Sequence, residues 1–148
     1  TKFSFDGTLV RTLGHRTDVM EKISGQLASR NLDGSEQLYL GGANAIRAYP
    51  QGEGSGDDGF TSTTEIRYYT DIPGLTFSTY FDIGHAKLSH DGRAGSETLK
   101  GWGLAASYQR PGDWFARLDY ARRIGDSKYL NDDAKAKGRL WFLLGKIW

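Results

Sequence analysis

The sequence predicts an all-β chain: seven antiparallel strands forming part of a transmembrane β-barrel of the outer-membrane type. Three observations carry this. Apolar and polar residues alternate with period two in seven separate stretches, the pattern of strands with unlike faces. Short turns and long loops alternate strictly between those stretches. One face is apolar, with Trp and Tyr near strand ends, and the other is small or charged, which suits lipid outside and a wet lumen inside.

The first strand, about 2–12, sets Phe3, Phe5 and Leu9 against Ser4, Asp6 and Thr8. After the turn Gly14-His15-Arg16, a second strand at about 17–29 opposes Val19, Ile23 and Leu27 to Lys22, Ser24 and Gln26. A long glycine-rich loop follows, about 30–59. The third strand, about 60–69, puts Phe60, Ile66 and Tyr68 opposite Thr61, Thr63, Glu65 and Arg67. The turn Asp71-Ile72-Pro73-Gly74 leads to a fourth at about 75–88, with Leu75, Phe77, Phe81 and Ile83 on one face and Thr76, Ser78, Tyr80 and Asp82 on the other. Beyond a polar connection from Ser89 to Thr98, the fifth strand, about 99–109, alternates Trp102, Leu104, Ala106 and Tyr108 with Gly101, Gly103, Ala105 and Ser107. The turn Arg110-Pro111-Gly112-Asp113 precedes the sixth, about 114–124, where Trp114, Ala116, Leu118 and Tyr120 oppose Arg117, Asp119 and Arg123. A second polar loop, Gly125 to Gly138, leads to a seventh strand with Leu140, Phe142, Leu144 and Trp148 on one face.

A soluble sandwich has no reason to keep its long loops at one end, whereas outer-membrane barrels do so habitually. Strands of about ten residues also match a tilted span of the hydrocarbon layer. A soluble β-sandwich or lipocalin-like barrel is the competing architecture. Because single-chain bacterial barrels have an even strand number and open edges are costly in lipid, seven strands imply the C-terminal part of a barrel.

Composition narrows the function. Among 148 residues, 19 Lys and Arg against 18 Asp and Glu leave no field for nucleic acid or anionic lipid. The absence of cysteine removes disulfides and thiolate chemistry. Twenty Gly, three Pro, four Trp, eight Tyr and seven Phe suit a β-rich, turn-rich protein. No stretch is apolar enough for a transmembrane helix, and a mean hydropathy of -0.55 is compatible with a barrel that shows lipid only alternate residues. The opening Thr1-Lys2-Phe3 lacks a methionine and a signal-peptide pattern, so a processed or truncated chain is expected.

The most informative segment is Leu38 to Gly59, LYLGGANAIRAYPQGEGSGDDG. A loop of about twenty residues without structure of its own is functional or disordered, and the strands around it favour function. Its embedded motif Ile46-Arg47-Ala48-Tyr49, with the flanking residues 32–57, resembles the hairpin loop of the two-partner secretion transporters, the hemolysin activation/secretion family of outer-membrane proteins. Phe81-Asp82-Ile83-Gly84 resembles that family's second signature, aromatic-Asp-x-Gly. The end of the chain, with Phe142, Leu144 and Trp148, is similar to the C-terminal signal read by the barrel-assembly machinery.

This resemblance implies that residues 1–148 are the last seven strands of a barrel of about sixteen. A plug helix, two POTRA domains and the first strands would lie outside the chain. It also implies a translocator in the Gram-negative outer membrane, embedded in lipid, that exports a large unfolded exoprotein of hemolysin or adhesin type without enzymatic chemistry. Within the pore, Arg47 would pair with Asp82, and Phe81 and Gly84 of the same signature would line the place where the loop docks. Strand parity gives an independent reading: Asp82 and Glu65 fall on polar faces of neighbouring strands, so both would face an inward-folded loop, and a guanidinium forks well onto carboxylates. Where the family carries Gly after the arginine, this chain has Ala48, which would be strained if that position needed φ > 0.

Other motifs carry little. Gly54-Ser55-Gly56-Asp57-Asp58-Gly59 matches G-x-G-x-x-G but enters a strand, and its two acids would repel a pyrophosphate. Asp57-Asp58 lacks calcium-loop spacing and reads as solvated loop charge. His15, His85 and His90 have no ligand spacing, and no nucleophile elbow is present, so no metal, cofactor or catalytic residue is expected. The run Asp132-Asp133-Ala134-Lys135-Ala136-Lys137 reads as a solvated external loop. Two alternatives stay open here: the insertase branch of the same POTRA-barrel superfamily, and a soluble β-sheet binding module.

Overall fold

In the computed structural model, residues 1–126 and 136–146 are described. Seven long strands follow the seven alternating stretches. They are β1 (Lys2–Gly14), β2 (Thr17–Ala28), β5 (Asp58–Tyr69), β6 (Leu75–Lys87), β7 (Ser96–Gln109), β8 (Trp114–Arg123) and β9 (Gly138–Lys146). They form one antiparallel sheet in the order β1-β2-β5-β6-β7-β8-β9. Each long strand pairs with the next long strand along the chain, as in a meander of antiparallel hairpins. Among the described residues, no helix is long and apolar enough to cross a membrane.

The long loop is more structured than its glycine content suggests. A 3-10 turn spans Gly34–Glu36, and β3 (Leu38–Tyr39) pairs with β4 (Ser55–Gly56). Past that ribbon, Leu40 N–H donates to Gly54 O (2.7 Å) and Ile46 N–H to Leu40 O (2.9 Å), so the tip folds back on its own stem. Strands of two residues are too short to leave an alternation in sequence, which is why this segment reads as structureless. β7 begins at Ser96, earlier than the alternation indicates, because Lys87↔Ser96 and Ala86↔Glu97 extend the β6 pairing into polar sequence.

Strand parity separates two faces. Outward lie Leu9, Ile66, Phe77, Phe81, Leu104 and Phe142, all exposed. A contiguous apolar surface of this extent is rare on proteins in water and natural in lipid. Inward, Glu65, Tyr80, Asp82, Leu99, Ala105, Asp119 and Ala121 are buried. The loop tip supplies Leu40, Ile46, Ala48 and Tyr49 to the same buried cluster. The core is therefore made by the loop against the inner wall.

Trp148 lies outside the described residues, as do 132–135 of the acidic-basic run.

Candidate functional site

At the loop tip, Arg47 is 7% exposed and bonded to the wall through backbone and side chain together. Its backbone N–H and Nε donate to Asp82 Oδ2 at 3.1 and 3.0 Å, and Nη2 donates to Asp82 Oδ1 at 2.9 Å. This is the fork geometry that makes arginine irreplaceable by lysine. Nη1 reaches Glu65 Oε2 and Asp119 Oδ1, each at 3.2 Å. The face of the guanidinium rests on Tyr80, with Cζ 3.2 Å from the ring centroid, a cation–π arrangement. The plane is thus surrounded by carboxylates and its face is covered by an aromatic ring.

The carboxylates have further partners. Thr63 Oγ1 donates to Asp82 Oδ1 (2.9 Å), and Arg67 Nε to Glu65 Oε1 (3.1 Å). Arg117 bridges Glu65 and Asp119. Arg47, Arg67 and Arg117 face Glu65, Asp82 and Asp119 in this network, so its formal charge is balanced. A buried charge left without its partner costs several kcal/mol.

Apolar contacts seat the tip on either side of the arginine. Ile46 is fully buried against Gly84, where an added Cβ would lie 2.6 Å from Ile46 Cδ1. Ala48 lies over Gly101, whose Cβ would fall 2.5 Å from that of Ala48. No non-glycine residue described has positive φ, so Ala48 is unstrained and the tip does not need glycine at this position. On the other side, the Trp141 indole donates to Arg47 O at 2.7 Å.

The structure therefore brings Ile46, Arg47, Ala48, Tyr49, Asp82, Glu65 and Gly84 together. Phe81 is not among them. It is 40% exposed on the outer face, because adjacent strand residues point to opposite sides and Asp82 points inward. Leu144 and Phe142 lie outward on β9 and are exposed. The alternation places Arg117, Asp119 and Tyr80 on polar faces, but nothing in the sequence connects them to the loop. Trp141 carried no signal of its own.

Asp57 and Asp58 are not solvated loop charge; they are buried. Asp57 accepts from Leu32 N–H (3.2 Å), Gln37 Nε2 (2.9 Å) and His90 N–H (2.8 Å). Asp58 accepts from Ala28 N–H (2.6 Å) and pairs with His90 Nδ1 (2.9 Å). The two carboxylates staple the loop's stem to the end of β2 and to the next external loop.

The chain resembles known proteins along most of its length. Residues 1–108 match the family model described as haemolysin secretion/activation protein ShlB/FhaC/HecB. The heme/hemopexin transporter protein HuxB of Haemophilus influenzae strain 86-028NP is 24% identical over 133 residues, covering 84% of this chain and 23% of HuxB. HuxB from another H. influenzae source is 26% identical over the same length. The chain thus spans about a quarter of the length of the curated relatives it matches. Among solved structures, CdiB from Acinetobacter baumannii superposes with a TM-score of 0.76 at 21% identity, over 97% of this chain and 26% of CdiB. The sheet is accordingly a piece of a β-barrel, and the chain belongs to the haemolysin secretion/activation family of two-partner secretion transporters, which are not enzymes.

Proposed function

We propose that residues 1–148 are the C-terminal part of the barrel of an outer-membrane translocator, which exports a large unfolded exoprotein in two-partner secretion. In this reading the segment 30–59 enters the pore, and docking of Arg47 on Asp82 fixes it there. POTRA domains and the remaining strands complete the transporter. Its partners are the exoprotein, outer-membrane lipid and, during biogenesis, the barrel-assembly machinery, in a Gram-negative outer membrane. The family match supports secretion over insertion of membrane proteins, and the apolar outer face supports lipid over water.

One observation carries the reading: an arginine from a loop is buried in a charge-balanced network on the inner wall. Such a site performs no bond chemistry. What it supplies is a seat that a loop can occupy or leave. The test is Arg47→Ala in the full-length transporter, expressed with its cognate exoprotein. The barrel should assemble and show heat-modifiable gel mobility, while secretion falls sharply. Secretion at the unmodified level would sink the role given to Arg47.

A further inference from the structure

Residue 47 meets the wall at its N–H, its C=O and its side chain, and the partners stand on different strands. The N–H and part of the guanidinium are held by Asp82 of β6. Asp119 of β8 accepts from Nη1, and the residue paired directly across from Asp119 on β9 is Trp141. The Trp141 indole donates to Arg47 O at 2.7 Å. Two residues facing each other across β8 and β9 thus hold opposite ends of one residue, the guanidinium and the carbonyl.

The indole bond differs in kind from the others. It is made to a backbone carbonyl, so a substitution at position 47 removes neither its donor nor its acceptor. It is also neutral, so it takes no part in the charge balance of the carboxylate network. An indole N–H has no acceptor function and one donor to satisfy, and a partly buried tryptophan usually directs that donor at a partner. Here the partner is the loop tip.

We propose that Trp141 is a positioning residue for the pore loop: a latch contributed by β9 that holds the tip backbone independently of the arginine's charge. The inference rests on the reading of this loop as the element that docks and leaves. A consequence is that Arg47→Ala loosens the tip without fully freeing it. Full release needs both the ion pair and the indole bond to be lost.

The experiment reads docking directly, apart from secretion. The chain contains no cysteine, and Ala121, fully buried on β8, belongs to the cluster into which the tip packs. In a full-length transporter without other thiols, Ala121→Cys reports undocking through its rate of labelling by a membrane-impermeant maleimide. Ala28→Cys, buried on β2, is the control for general loosening. W141F should raise labelling at 121 about fivefold, the worth of one typical intramolecular hydrogen bond, and leave position 28 unchanged. R47A should raise it as well, and the double variant should approach the product of the two factors. Labelling of W141F at the parent rate would overturn the latch while leaving the Arg47 secretion test intact. Equal acceleration at 28 and 121, or loss of the folded gel band in W141F, would overturn it too, by assigning the indole to the stability of the wall.

Discussion

The methyl of Ala48 occupies the space that a side chain on Gly101 would need: a Cβ built at 101 falls 2.5 Å from the Ala48 Cβ. The loop tip and the β7 wall are thus matched in size at one contact. Gly101→Ala should over-pack it, at a cost of about 1–3 kcal/mol, and unseat the tip. Adding Ala48→Gly should restore seating, because the two changes exchange one methyl across the contact. Maleimide labelling at Ala121→Cys measures both steps. Failure of Ala48→Gly to reverse the effect of Gly101→Ala would contradict the size match.

The charge network makes a second prediction. Three arginines face three carboxylates, so neutralising one carboxylate leaves a buried positive excess. Asp82→Asn removes the forked partner of Arg47 and should destabilise the docked tip by about 3–5 kcal/mol, the usual loss on breaking a buried pair. Glu65 is shared with Arg67 and Arg117 as well as Arg47, so Glu65→Gln should weaken the wall as well as the seat. Denaturation midpoints separate the two: Asp82→Asn mainly loosens the docked tip, whereas Glu65→Gln also lowers the unfolding midpoint of the barrel.

At the stem, Asp57 accepts three hydrogen bonds and Asp58 two. Asp57→Ala would remove the acceptor of the partly buried Leu32 and His90 backbone donors, at about 0.5–1.5 kcal/mol for each hydrogen bond lost. Faster proteolysis of the 30–57 segment in intact outer membranes is the expected outcome. A cleavage rate equal to that of the parent would show that the stem is held elsewhere.

The outer face supplies a fourth test. Leu104 stands midway along β7 and is 53% exposed. If lipid covers it, Leu104→Arg should cost about 2–4 kcal/mol at mid-membrane depth. Ser107→Arg, on the inward side of the same strand beside an open cavity, should cost much less. Unfolding of the two variants in lipid vesicles compares them directly.

The strands and their facing were legible in the sequence because period-two alternation is a local signal. The same parity put Glu65 and Asp82 on the inner side before any pairing was known. Phe81 belongs to the same four-residue motif as Asp82, but alternation turns it to the outer face. The contributions of Asp119 and Trp141 were hidden for another reason. They reach Arg47 from 72 and 94 residues away along the chain, through a register that only the folded sheet fixes. Asp57 and Asp58 misled because an acidic pair among glycines reads as solvated until its donors, drawn from three separate segments, are assembled around it. Ala48 is free of the backbone strain that its sequence context raised, since it takes no positive φ.

In the proposed function the Arg47–Asp82 contact controls transport, and this is what a direct test must reach. It is tested most directly by a double-mutant cycle on secretion, with Arg47→Ala, Asp82→Ala and both together in the full-length transporter and its cognate exoprotein. If the two act as one contact, each single variant assembles and secretes poorly, and the double variant is no worse than the more severe single. Wild-type secretion by either single variant, or losses that multiply in the double, would contradict it.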